Sequence, residues 1–224
     1  MSVFSFLTEK PWLPTQPGGE EHLPPALPAE KIALRFLLVV ITVLFALFFV
    51  TFITRSQYQD FRALAGEPWQ PFTDSWRLWI NTAVLALASV AMYRAVLALG
   101  RGKSAVARNS LFVGVIAALG FLLLQVSVWQ FLSRLGYGVS DNPANSYYYV
   151  LTGLHAVHLA GGLYVLARVL VRLGQGRSLQ SQAVVIRACA TYWHYLFGLW
   201  LVLFFMLTRT PESYAFIAAL CGLD

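Results

Sequence analysis

YYYVLTGLHAVHLAGG, Tyr147–Gly162, is the stretch whose reading decides the fold. It sets two histidines, His155 and His158, inside a run otherwise suited to hydrocarbon. Polar side chains are costly in a bilayer, so they face other helices or a functional path rather than lipid tails. Working outward, the rest of the chain has the same character. It is 58% hydrophobic and 12% charged, where a soluble domain carries about 25% charged residues. No acid lies between Asp74 and Asp141, and none between Asp141 and Glu212. Acid-free runs of that length define a membrane protein. The net charge of +6 then reads as topology, since basic residues gather in cytoplasmic loops. No basic run interleaved with aromatics marks a nucleic-acid surface.

Five segments are long enough to cross a bilayer, which takes about 20 apolar residues. They are 32–54, 76–98, 110–133, 147–171 and 184–208. Arg101-Gly-Lys and Gly174-Gln-Gly176-Arg read as tight turns between spans. The chain is therefore expected to be all-α, a polytopic membrane bundle of five transmembrane helices. Ten basic residues flank one side of the spans, among them Arg35, Arg94, Arg108, Arg172 and Arg187, against five on the other. The ten-charge side is expected to be cytoplasmic, with the N-terminus inside and the C-terminus in the periplasm. Residues 1–31, rich in proline, form an irregular cytoplasmic arm; 32–208 form the membrane domain; 209–224 form a short periplasmic tail. The apolar run 213–223 is too short to span and is expected along the outer interface. Cys189 and Cys221 are too few for a disulfide framework.

The second to fifth spans carry polar marks. Asn81 and Ser89 share one helix face in the second span. Gln125 precedes Trp129 by four residues in the third. Thr152, His155 and Gly162 form one stripe in the fourth, with His158 beside it. Gly161 and Gly162 would admit a close neighbouring backbone. In the fifth, Trp193 and Trp200 share a face, and His194 shares another with Arg187 and Gly198. Asn, Gln, Ser and Thr in a span ordinarily bond across helices, at about 0.6–2 kcal/mol each. The histidines admit two readings: structural hydrogen bonding, or ligation of haem or copper. Depth allows a shared site, but no span holds a carboxylate to fix a ligand tautomer. No nucleophile–base pair, phosphate loop or paired carboxylate is present. The residues alone describe a helical subunit of a membrane complex with no catalytic group of its own.

Four motifs in order resemble subunit III of the haem-copper respiratory oxidases. Asn81-Thr82 through Ser89 resembles the family's NT-x-x-LL-x-S run. Leu123-Leu124-Gln125-Val126-Ser127 resembles LLQ-A-S. Thr152-Gly153-Leu154-His155-Ala156-Val157-His158 resembles TG-F-H-G-x-H. Trp193-His194-Tyr195 with Trp200 resembles WHF-x-D-V-V-W. The resemblance covers 32–208 and is similar to the short, five-span form of the family. It implies an accessory subunit in a bacterial inner membrane. That subunit would bind the catalytic subunit I and other oxidase subunits, and would stabilise the former. It would hold phospholipid and carry no cofactor, the haem and copper lying in its partners. Asn81, Ser89, Gln125, Thr152, His155, His158, Trp193, His194 and Trp200 would then be packing and bonding residues, with Arg94 and Arg187 as lipid-phosphate contacts. The alternatives are a relative associated with nitric oxide reductase, and a small haem or copper protein using the three histidines.

Departures from the family pattern are systematic. Three intramembrane acids expected from it are replaced: Ile41 and Thr42 occupy the first neighbourhood, Val128-Trp129 the second, and Phe197 the third. A carboxylate-dependent role is therefore not expected here. The loop 55–75, with Trp69 and three acids and with Trp76 just beyond it, is a candidate for an additional outer contact.

Overall fold

A computed structural model describes residues 29–66, 71–72 and 75–222. The helices in chain order are α1 (Ala29–Ser56), α2 (Trp76–Gly100), α3 (Ser104–Arg134), α4 (Pro143–Gly174), α5 (Ala183–Leu207) and α6 (Pro211–Cys221). A 3-10 turn, Gln180–Gln182, leads into α5. Helices α1 to α5 are each long and apolar enough to cross a membrane. Residues 1–28 of the arm, and Glu67, Trp69 and Asp74 of the first long loop, lie outside the described residues.

The turns end the helices for clear local reasons. Gly102 (φ 69°) and Gly176 (φ 85°) adopt the left-handed conformation that side chains resist. After each, an amide reaches back across the helix end: Lys103 N–H to the Ala98 carbonyl, 2.9 Å, and Arg177 N–H to the Arg172 carbonyl, 3.1 Å. Helix α4 starts earlier than hydropathy alone suggests because Asn142 caps it. The Asn142 side chain accepts from the Ala144 amide, and Pro143 sits where no amide bond is needed. Helix α3 likewise starts at Ser104 rather than 110, since Arg108 and Asn109 continue a helix that an apolar window does not register.

Helices α2 and α3 form the most closely packed pair. Gly114 lies where an added Cβ would meet Met92 at 3.3 Å, and at Gly120 it would meet Val84 at 3.6 Å. Buried Ala88, Ala91 and Ala95 continue this small-residue contact, the usual route to close approach in a membrane. Helices α4 and α5 close the core through Leu151, Leu159, Leu166, Trp193, Leu196 and Trp200. Helix α1 packs on the outside of α4 and α5 and is the least buried of the five.

The tail differs from an unstructured end. Residues 211–221 form α6, which tucks Tyr214 and Ala218 against the bundle. Tyr214 stacks edge-on with Phe52 and Phe61, at centroid distances of 5.3 and 6.0 Å. Its hydroxyl donates to the Met206 carbonyl at 2.7 Å. Nearby, Arg62 N–H donates to Asn142 Oδ1 at 3.1 Å, and Asn142 Nδ2 donates back to the Arg62 carbonyl at 2.5 Å. These contacts fold loop 57–66 over the end of the bundle and bury Ala63, Leu64 and Ala65.

Candidate functional site

The polar side chains of the spans meet in pairs across helices. Asn81 on α2 donates to Gln125 Oε1 on α3 at 2.8 Å, and Gln125 Nε2 donates to the Tyr148 hydroxyl on α4 at 3.0 Å. All three side chains are buried. One chain of amide and phenol groups thus joins three helices. A second seam joins α2 to α5: the Trp200 indole N–H donates to Thr82 Oγ1 at 2.9 Å, while Thr82 donates to the Leu78 carbonyl. A third joins α3 to α4, where Trp129 Nε1 donates to Thr152 Oγ1 at 3.1 Å. Thr82 and Tyr148 were not singled out from sequence. The neighbour of Asn81 and the tyrosine run before Thr152 carried the signal, but nothing in it named a partner.

The three histidines are not gathered. His155 on α4 is fully buried, with its ring between Phe121, edge-on at 5.9 Å, and Trp200 at 5.4 Å. Neither ring nitrogen has a hydrogen-bond partner among the described residues. The expected bond across helices is therefore replaced by ring packing. His158 pairs its Nδ1 with the Leu154 carbonyl on its own helix, 2.8 Å, and its ring lies 5.9 Å from Phe45 of α1. His194 on α5 bonds through Nδ1 to Ser89 Oγ on α2 at 2.5 Å. Among the described residues no three His, Cys, Asp or Glu side chains come together.

Two expectations for α4 and α5 also change. At Gly162 it is aromatic rings, not a backbone, that fill the missing side chain's place. An added Cβ there would lie 2.7 Å from Trp193 and 2.8 Å from Tyr192. Gly161 is exposed, and an added Cβ there would meet nothing within 4 Å. Trp193 is buried, but its indole nitrogen has no partner among the described residues. Tyr192 donates to the His158 carbonyl at 3.0 Å, a contact between α4 and α5 that the sequence did not suggest.

The candidate lipid residues are exposed at one end of the bundle. Arg187 and Arg35 both line a cavity of about 530 Å³ between α1 and α5. Leu34 and Ala188 continue it into an apolar cavity of about 330 Å³ floored by Gly161, Gly162 and Cys189. Arg94 lines a separate cavity of about 300 Å³ between α2 and α3, with Asn109 and Ser110.

This architecture defines a multi-pass helical membrane protein whose interior polar groups serve mainly to join its own helices. Comparison with known proteins carries the assignment further. The family model for cytochrome c oxidase subunit III matches residues 23–209. The probable cytochrome c oxidase subunit 3 of Mycobacterium tuberculosis (strain ATCC 25618 / H37Rv) is 29% identical over 150 residues, covering 66% of this chain and 74% of the relative. That of Nocardia farcinica is 27% identical, covering 72% and 76%. The cytochrome c oxidase subunit 3 of Synechocystis sp. is 29% identical over 128 residues, covering 57% and 54%. The chain belongs to the cytochrome c oxidase subunit III family. It is subunit III of a haem-copper oxidase, a protein that associates with other oxidase subunits, and the two alternative readings are not favoured.

Proposed function

We propose that the chain stabilises the haem-copper catalytic subunit I from its side, in a bacterial inner membrane, and holds phospholipid there. Its N-terminus faces the cytoplasm and its C-terminus the periplasm. The basic-residue asymmetry supports that orientation. The chain carries no redox centre; haem and copper reside in its partners. The observation that carries this reading is the Asn81–Gln125–Tyr148 chain of bonds. It commits buried polar groups on three helices to holding the bundle in one shape, and a fixed shape is what a supporting subunit offers. Arg35 and Arg187, on one cavity that opens into an apolar groove, suit a phosphate above an acyl chain. Arg94 has a comparable position between α2 and α3. Arginine binds phosphate in a bidentate manner that lysine lacks.

Purification in mild detergent through a tag on this chain tests the reading. The expected result is a co-purifying haem-copper subunit that keeps all haem absorbance when the two are separated. A chain that purifies alone with a Soret band would overturn it. For the lipid site, Arg187→Ala should lower the phospholipid retained per complex, measured as lipid phosphorus; unchanged retention would remove Arg187 from that role.

A further inference from the structure

One face of α5 does not suit lipid. Thr191, His194 and Gly198 lie along it, all exposed, with His194 near the middle of the span. Helix α2 borders this face through Ser89 and Tyr93, and α1 borders it through the Thr42–Tyr195 hydroxyl bond of 2.8 Å. Exposed hydroxyls in the spans satisfy themselves, Thr191 of this face included. Thr42, Thr51, Thr54, Ser127 and Thr191 each donate to a carbonyl about one turn back. An imidazole cannot do this with both nitrogens.

The proton positions on His194 follow from its neighbour. Ser89 is buried and makes no other hydrogen bond among the described residues. If Nδ1 held the ring proton, the Ser89 hydroxyl proton would be stranded inside the bundle, at a desolvation cost. The hydroxyl therefore donates to Nδ1, and the ring carries its proton on Nε2. That N–H has no partner among the described residues. Hydrocarbon tails offer no acceptor at this depth, and lipid headgroups lie at the membrane surfaces.

We propose that this face seats a transmembrane helix of another oxidase subunit, one that brings a hydrogen-bond acceptor to the His194 Nε2–H. The proposal rests on the assembly reading above and adds to it the face that meets the partner. Gly198 sharpens the fit. It lies one turn from His194, and an added Cβ there meets nothing within 4 Å. A helix axis can approach closely over such a position.

The test uses the full chain in its native complex. A photo-reactive benzophenone side chain replaces Gly198, and a second sample carries it at Val157, an exposed position on α4. The Gly198 probe should cross-link to another oxidase subunit and the Val157 probe to lipid. A Gly198 probe that yields only lipid adducts, or a dimer of this chain, overturns the proposal while the catalytic subunit still co-purifies. Absence of any oxidase subunit from the unaltered preparation would instead overturn the assembly reading itself. As a second measurement, Gly198→Leu should lower co-purified haem per tagged chain about tenfold, by overpacking the contact. Gly153→Leu, one turn from Val157 on α4 and equally free of neighbours, should leave that ratio unchanged. Equal retention by the two variants overturns the proposal.

Discussion

The α2–α3 hairpin and α1 are attached to the rest of the bundle by different means. The hairpin is tied by polar bonds through Asn81, Thr82 and Gln125 at one level and through Ser89 about two turns away, over a seam of alanine and glycine. Helix α1 presents most of its length outward. It is held by Phe52 among the rings of Phe61, Tyr147 and Tyr214 at one end and, along its length, by Phe45 against the His158 ring and, among the described residues, one interhelical hydroxyl bond at Thr42. Its other end borders the two cavities shared with α5. Without a hydrophobic drive between helices inside a membrane, close packing and hydrogen bonds decide which contacts persist. The hairpin has both, while α1 has aromatic packing concentrated at one end. The rigid part of the molecule is thus the hairpin with α4 and α5, and α1 is the part a bound lipid would steady.

Four substitutions can break or sharpen this contrast. Trp200→Ala removes the largest group of the α2–α5 seam and leaves Thr82 without its donor. A loss of about 3–5 kcal/mol is expected, read as a large fall in the thermal midpoint of the purified protein. A fall no greater than that for Thr42→Val would erase the distinction between the two regions. Gln125→Leu should cost about 1–2 kcal/mol, because it strands both Asn81 and Tyr148. A chemical-denaturation curve in detergent gives that number, and a gain in stability would show the polar chain to be dispensable. Thr42→Val removes the exposed interhelical bond to Tyr195 together with the in-helix bond to the Leu38 carbonyl, and should cost about 0.6 kcal/mol. Its clearer signature is faster proteolysis near α1, with the hairpin unaffected.

The smallest effect belongs to Asp60, exposed in the loop after α1. The Arg55 guanidinium, bonded to both its oxygens, holds the Asp60 carboxyl below the ordinary value of 3.8. A lowered folded-state value means the pair contributes fully above pH 3.8. That contribution is lost as pH falls through the depressed value. Both groups are solvated, so the contribution is slight. Asp60→Asn should leave stability nearly unchanged near neutral pH. It should also flatten the stability–pH curve only at the acid end. A uniform drop at all pH values would contradict this.

Hydropathy was enough to place the five spans, and glycine chemistry enough to place two of their turns. Periodicity also put Asn81, Ser89, Gln125, Thr152 and His155 on faces that are buried. It could not say which helix each face meets, because a period of 3.6 residues fixes direction within one helix and nothing about its neighbours. Asn81 and Ser89 share a face yet bond to different helices, α3 and α5. His155 shows the same gap: burial was legible, its unbonded ring was not. Helix α6 was hidden for a different reason. Eleven residues are too few for a span signal, and its stability comes from the pocket around Tyr214 rather than from its own pattern.

The paired bonds between Arg62 and Asn142 link positions 80 residues apart. One side chain caps α4 and clamps the loop that follows α1. A chain made from its N-terminus holds Arg62 long before Asn142, its partner 80 residues on, exists. The loop cannot take its final form until the fourth helix has been inserted. Order is therefore written into the fold: the cover formed by loop 57–66 closes late, once the start of α4 is there to hold it.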